Sequence, residues 1–375
     1  MESLICFEAF KRTGDALSRY LSGIRKICRP KYLLMISDGD LEPGGTPFDL
    51  FSRDCAALGK EGDADLVLSL PYASILGGLG KRDFALAALS QRLHASDRIV
   101  LPCRPAEGQS LEDCIRILKS CAMTIFKEKP EYREALLKNM KEQMSFDEAR
   151  MQAVRSCISA ADETLSFPVN RQAVKLLDAM LQLYYLAKTE FLDVRELGFS
   201  GEDEESGKEE PLKDRAQPGS WSSNRLGFER KAAEKLRQIL PGKTCESLRN
   251  IAGCTDQMIS ALAERKEEFL QAEYLQQAAE LLGRDAPGED AARLYLLRII
   301  LNITHSTMQI NGLHIYTPYC YVLYEDPEKK AVTEEIRKAS WVSCITDGKP
   351  DTETALKYPS LLEIDHKAEE LLYNG

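Results

Sequence analysis

The chain has 375 residues, 44% apolar and 29% charged, an ordinary soluble composition with room for about two or three domains. Its formal net charge of −10 repels polyanions as a whole, so any nucleic-acid contact has to come from a local basic surface. The sequence has no apolar run of about 18 residues and its start, "MESLICFEAFKR", lacks the signal-peptide pattern, so a cytoplasmic protein without membrane contact is expected. Eleven cysteines, odd in number, scattered and never spaced as CxxC, read as reduced thiols and exclude a disulfide framework.

Taken in chain order, "SLICF" (3–7), "YLLMIS" (32–37), "DLVLSL" (65–70) and "RIVLP" (98–102) read as strands. Between them "DALSRYLSGIRKI", "DLFSRDCAAL" and "RDFALAALSQRL" place apolar residues about three and four apart, and "SLEDCIRILKSC" repeats the pattern after the fourth strand. This alternation predicts an α/β fold with a Rossmann-like parallel sheet and helices on both faces. Ligands in such sheets sit at the carboxyl ends of the strands, where "FKRTGD", "SDGDLEPGG", "SLPYASILGG" and "LPCRPAEG" fall. From Lys127 onward the strand signal disappears and helices follow: "EYREALLKNMKEQM", "SFDEARMQAVRSCIS", with Ser145 and Glu148 spaced as a capping box, and "NRQAVKLLDAMLQLYYLAK". The polar, acid-rich stretch 201–224 reads as a mobile acidic loop or linker. Beyond it come "RKAAEKLRQIL", "TDQMISALAERKEEFLQAEYLQQAAELL" and "EDAARLYLLRIILNIT", then the alternating "YCYVLY" (319–324), the short run "WVSCIT" and a final helix "HKAEELLY". The expected organisation is an α/β domain with a helical extension over 1–200, the linker at 201–224, and a helical domain over 225–375 that ends in a small α/β element.

The first turn carries the main candidate chemistry. Backbone N–H groups at a helix start attract anions, and Gly14 would let a phosphate approach closely. Lys11, Arg12, Arg19, Arg25, Lys26, Arg29 and Lys31 make residues 11–31 basic, with Asp15 the only acid. A plain strand-to-helix connection with solvated basic residues accounts for the same pattern. In "SDGDLEPGGTP" (37–47), Asp38 or Asp40 would suit magnesium, although turn chemistry explains most of the composition. His94, His305, His314 and His366 show neither metal-ligand spacing nor a nearby nucleophile motif, and read as surface or core residues. In "GSWSSNRLGFERK" (219–231), serine and arginine at a helix start are suited either to gripping phosphate or to capping the helix.

The order of the strand, glycine turn and basic helix, followed by "MISDGDLEPGGTPFDLFSRDCAAL", "GDADLVLSLPYA", "LSFPVNRQAVKLL", "RIILNIT" and "LLEIDHKAEELLY", resembles the bacterial tRNA(Met) cytidine acetate ligases. These belong to the nucleotidyltransferase superfamily with the His-x-Gly-His signature, and the likeness runs over nearly the whole chain. It implies a nucleotidyltransferase domain, ATP with magnesium as cofactor, activation of acetate as acetyl-adenylate, and acetylation of N4 of the wobble cytidine in elongator methionine tRNA. It also implies a tRNA contact through the basic surface around 11–31.

The signature positions fall on Arg12, Thr13, Gly14 and Asp15, so both histidines are replaced. At ~4 Å, Asp15 and a phosphate oxygen would repel by roughly 4 kcal/mol at an effective dielectric near 20. Other family positions drift toward the same pocket: Pro102 and Pro105 remove backbone donors, and Pro-Asn-Asn becomes Pro168, Val169, Asn170. Arg-Ile-Gly becomes Glu196, Leu197, Gly198, with Arg195 as a substitute by register shift, and the second phosphate motif survives loosely as Ser222, Ser223 and Arg225. The implied nucleotide site is therefore Lys11, Arg12, Gly14, Asn170, Arg195, Ser222, Ser223 and Arg225, with Arg12 and Asp15 at the catalytic positions and no metal ligand assigned. The expectation is a divergent member whose ligase activity is impaired or lost. The alternatives are a non-catalytic relative that binds nucleotide, RNA or protein, and an altered activity on another phosphorylated ligand.

Overall fold

Each of the first strands is buried along its whole length, as a parallel sheet covered on both faces requires. The computed structural model describes residues 3–7, 14–37, 39–41, 44–47, 64–77, 82–95, 98–142, 144, 146–197, 199, 222–286, 288–310, 318–346 and 348–373. Over these, β1 (Ser3–Phe7), α1 (Gly14–Cys28), β2 (Tyr32–Ser37), β3 (Leu66–Ser69), α2 (Tyr72–Gly77), α3 (Arg82–Leu93), β4 (Arg98–Cys103) and α4 (Leu111–Phe126) follow the predicted order. The helix expected at "DLFSRDCAAL" and the capping serine Ser145 lie outside the described residues. Next come α5 (Pro130–Lys141), α6 (Phe146–Cys157), α7 (Ala161–Thr164), α8 (Pro168–Gln182) and β5 (Lys188–Asp193).

The helical layer comprises α9 (Ser223–Ile239), α10 (Cys245–Arg249), α11 (Asp256–Glu264), α12 (Lys266–Gln271), α13 (Leu275–Gly283), α14 (Glu289–Leu301) and α15 (His305–Ile310). The chain closes with β6 (Tyr319–Glu325), α16 (Lys330–Ala339), β7 (Ser343–Thr346), α17 (Thr352–Lys357) and α18 (Pro359–Tyr373). Among the described residues no helix is long and apolar enough to cross a membrane, and the ten described cysteines are free thiols.

Strand alternation divides the core. Leu4 and Cys6 of β1 pack against Leu17, Tyr20, Leu21 and Ile24, the apolar stripe of α1, while Ile5 and Phe7 face the opposite layer with residues of α3, α4 and α8. A third core, built on Phe228, Leu236, Tyr295 and Leu296, holds the helical layer together. Inside it the Glu229–Arg293 ion pair is completely buried, and Gln276 accepts a hydrogen bond from Arg293 Nη1 at 2.8 Å.

Among the described residues seven strands form one sheet in the order β5-β4-β1-β2-β3-β6-β7. β1, β2, β3, β4 and β5 are mutually parallel where they pair, whereas β6 runs antiparallel to β3 (Leu66 opposite Glu325) and β7 lies parallel to β6.

Three expectations need correction. Strand signal does not end at Lys127: "KTEFLD" forms β5, an edge strand whose alternating charges hide it, with Glu190 bound by Arg98 Nε of β4 at 2.9 Å. The C-terminal strands add to the N-terminal sheet instead of forming an element of their own. The stretch 256–283 is three helices, broken at Arg265 and again at residues 272–274. The segment 201–221 lies outside the described residues, and α9 already begins at Ser223, which moves the expected helix start back into the proposed linker.

Candidate functional site

From β1 the chain moves to β2 on one side of the sheet, while β4 sits on the other side, so the strand order reverses between β1 and β4. Open α/β sheets bind ligands in the crevice outside the carboxyl ends of the strands at such a switch point. Here that crevice is bordered by Phe7, the start of α1, Cys103 and Arg104 after β4, and Asp193 to Arg195 after β5. Gly14 and Asp15 are the first two residues of α1, while Lys11, Arg12 and Thr13 lie outside the described residues.

Asn170, expected on the ligand, is completely buried in the first turn of α8. Its Oδ1 accepts the Arg104 N–H at 2.8 Å, and Nδ2 donates to the Arg104 and Thr164 carbonyls at 2.7 Å each. Both amide hydrogens are thus committed, and Asn170 clamps the loop after β4 in place of reaching a nucleotide. The Arg104 guanidinium lies 4.6 Å from the centre of the Phe167 ring, which joins the same turn. Pro102 is tolerated because pairing of β4 with β1 ends at Val100. The thiol of Cys103 is pushed up by its hydrogen bond with Cys114 and by burial.

Arg195 is turned onto its own neighbour. Its Nε donates to both carboxylate oxygens of Asp193 at 3.0 and 2.9 Å, and its backbone N–H reaches Asp193 Oδ1 at 2.9 Å. That hydrogen-bonded carboxylate raises the guanidinium above its ordinary range, and the pair offers an approaching phosphate no net charge. Ser222 is the N-cap of α9, its hydroxyl accepting the Arg225 N–H at 3.2 Å; Ser223 is exposed and Arg225 half-buried in the first turn. Because α9 packs on α13, α14 and α18, these three residues belong to the helical layer, and Asn170 and Arg195 to the sheet.

The basic run is divided along α1. Fifteen helical residues span about 20 Å, which carries Arg25, Lys26, Arg29 and Lys31 to the amino end of the sheet, away from the crevice. Arg25 is ion-paired with Asp65, which also accepts the Leu33 N–H at 2.6 Å and lies 3.5 Å from Lys329 Nζ. Lys26, Arg29 and Lys31 are exposed there, and Arg19 sits over the Phe199 ring at 4.9 Å. Among the described residues of this run, Arg19 and the cations from Arg25 onward therefore lie apart along α1.

A polar cluster that sequence reasoning missed joins two quoted motifs. Asp365 of "LLEIDHKAEELLY" accepts the Ala73 N–H of "LPYA" through Oδ1 at 2.7 Å and the hydroxyls of Tyr319 and Tyr321 through Oδ2 at 2.8 Å each. Burial pushes its pKa up to about 7 against the pull of those three donors. Asp40, the magnesium candidate, is instead held by the hydroxyls of Tyr72 and, at 2.5 Å, Tyr373; Asp38 lies outside the described residues. The i, i+2 spacing of Tyr319 and Tyr321, which puts both hydroxyls on one strand face, was the available signal. No group of three His, Cys, Asp or Glu residues able to hold a metal occurs among the described residues. His94 stacks on Trp341, His366 lies 3.4 Å from Glu370, His305 opens α15, and His314 is outside the described residues.

The strand order and the helical layer define an α/β protein built on one mixed seven-stranded sheet, the fold class expected from the sequence. No family model and no curated protein matches the chain. Among solved structures, Thermotoga maritima TmcAL, a tRNA(Met) cytidine acetate ligase, bound with alpha-thio ATP, superposes with a TM-score of 0.71 at 15% identity, over 99% of this chain and 95% of that one. The apo form of the same protein gives a TM-score of 0.70 at 14% identity, covering 99% and 94%. The chain has the TmcAL fold over its whole length, and the expected resemblance is borne out at that level.

Proposed function

We propose that this chain is a divergent relative of the tRNA(Met) cytidine acetate ligases that keeps their fold and has lost ATP-dependent acetate activation. The observation that carries the reading is the internal commitment of the residues expected on the nucleotide: Asn170 holds the Arg104 peptide, Arg195 is forked onto Asp193, and Ser222, in the helical layer, caps its own helix. A triphosphate needs several unpaired donors or cations converging on it, and these described residues do not fit one. Arg12 and Asp15 at the signature positions point the same way, since a carboxylate replaces a neutral donor at the helix start. TmcAL binds an ATP analogue in the same fold; in this chain Asn170, Arg195 and Ser222, the residues expected on the nucleotide, are bonded within the protein.

Acetate-dependent release of pyrophosphate from ATP tests the reading directly. No release above a protein-free control is expected from the purified chain with magnesium, acetate and methionine tRNA, and sustained release would overturn it. Calorimetry with ATP on the unaltered chain and on an Arg12→His, Asp15→His double variant then separates two causes. Binding gained by the variant assigns the loss to the signature, while no binding by either assigns it to the other crevice positions as well.

A second reading, an RNA-binding relative without chemistry, is favoured by the exposure of Lys26, Arg29 and Lys31. It requires tRNA affinity that falls steeply as salt rises. Replacing these three residues by alanine should then flatten the salt dependence, and an unchanged slope would remove this reading.

A further inference from the structure

At the carboxyl-terminal end of α3 lies a cavity of about 530 Å³, within the range of small-molecule sites, about 300–1,000 Å³. Its walls come from the end of α3 (Gln91, His94), the residue after α8 (Leu183), the start of β6 (Pro318), the loop before β7 (Trp341) and Tyr358. The frame is fixed by hydrogen bonds: Trp341 N–H donates to the Arg92 carbonyl at 2.9 Å, Arg92 Nη2 donates to the Trp341 carbonyl at 2.9 Å, and Gln91 Nε2 donates to the Leu183 carbonyl at 3.2 Å. Yet the indole is 71% exposed, with only the His94 ring packed edge-on against it, centroids 4.4 Å apart. His94 takes a left-handed backbone (φ 50°) just beyond the helix end, a place where glycine is usual. An exposed, rigidly mounted aromatic pair at the mouth of a cavity is the arrangement of a binding site, since free indole surface is otherwise buried.

The solvent-facing polar atoms of the rim narrow the ligand class. Among the described residues the Trp341 indole N–H, the His94 ring nitrogens and Gln91 Oε1 have no hydrogen-bond partner. The rim thus presents a donor, a donor or acceptor, and an acceptor around apolar walls. A purely aliphatic ligand would desolvate these groups without replacing their water, the nearby Arg92 disfavours a cation, and the apolar walls disfavour a phosphate. What remains is a planar, uncharged heterocycle with mixed donors and acceptors.

We propose that this cavity takes the base of a nucleoside, stacked on Trp341 and read along its edge by His94 and Gln91. The proposal is independent of the crevice reading. The base belongs either to a free nucleoside or to an unstacked residue of single-stranded RNA, and the two sources are separable.

The chain has two tryptophans, so Trp221→Phe leaves Trp341 as the only indole reporter. In that background adenosine, cytidine, guanosine, uridine and the corresponding four-residue oligoribonucleotides are titrated while Trp341 fluorescence is followed. Saturable quenching by at least one is expected, weakened up to about tenfold by His94→Ala, the scale of one lost hydrogen bond, and abolished by Leu183→Arg, which fills the cavity. Ala88 of α3 also lines the cavity, and Ala88→Leu narrows the same space with an apolar group and replaces Leu183→Arg if that variant fails to fold. Saturation by a nucleoside assigns a free ligand, and saturation by oligoribonucleotides alone assigns an RNA base. Absence of saturable quenching with every probe, or quenching that survives both blocking substitutions, overturns the proposal.

Discussion

Two polar clusters in this molecule are built on opposite plans. Among the residues expected on the nucleotide, Arg195 is two residues from its partner Asp193 and Ser222 three from Arg225, and Asn170 alone reaches far along the chain, to Arg104 66 residues away. At the Asp365 cluster the partners come from two distant segments, with Ala73 292 residues away and Tyr319 and Tyr321 46 and 44 residues away. Short-range bonds form in any conformation that keeps the local turn, so they add little to the uniqueness of the fold. Long-range bonds to one buried carboxylate exist only when sheet, α2 and terminal helix have all assembled. The Asp365 cluster is therefore expected to carry the larger share of stability, and the crevice cluster to control what the crevice admits.

The contrast breaks most sharply at Asp365. Its replacement by alanine strands two tyrosine hydroxyls and one backbone N–H in a dry site, at a cost of about 3–5 kcal/mol in urea denaturation. A loss below about 1 kcal/mol would mean that water satisfies the cluster. The pH dependence gives a second check. The folded-state value of about 7 lies above the ordinary value of 3.8, so between these limits the folded chain holds more protons than the unfolded one. This contribution is fully present below about pH 4 and is lost as pH rises through 7. Subtracting the stability curve of Asp365→Asn from that of the unaltered chain should expose this downward slope, and a flat difference would assign the pH dependence elsewhere.

Asn170→Ala is the next largest effect. Although its partners Arg104 and Thr164 lie 66 and 6 residues away, the cluster remains one loop clamp. Losing it leaves a buried N–H and two carbonyls underbonded, with an expected cost of about 2–3 kcal/mol by the same measurement. Deuterium exchange localised to residues 103–106 would confirm that the loss starts at the loop after β4. Exchange unchanged there would contradict the clamp.

These clusters also mark what could be read from the sequence alone. β1 to β4 were legible because strands buried on both faces are continuous apolar runs. β5 was not, because an edge strand that alternates charge with apolar residues has a weak local signal, and the destination of β6 was not, because pairing of Leu66 with Glu325 has no local signature. At the crevice the sequence pointed to Asn170 and Arg195 as ligand contacts, and the structure gives both of them protein partners. Their protein partners, Arg104 and Asp193, become visible only when the loops after β4 and β5 lie side by side. Asp365 stood in a quoted motif, yet nothing near it in the chain identified Tyr319 and Tyr321 as its donors.

The smallest effect, at Asp193, tests the crevice side of the contrast most directly. Asp193→Asn keeps the shape of the turn and leaves Arg195 with a neutral partner, so its guanidinium charge is no longer cancelled. The Arg195 side chain is 47% exposed, and the change in stability should stay within about 1 kcal/mol because solvent screens the pair. Affinity for inorganic pyrophosphate, measured by calorimetry, should rise about three- to tenfold, the scale of one charge-assisted contact. A combined Asp193→Asn, Arg195→Gln variant removes the cation and should return affinity to its starting value. If the single variant gains nothing, the local pairing is not what keeps anions out of the crevice, and the exclusion has to be sought at Asp15 on the opposite side of the switch point.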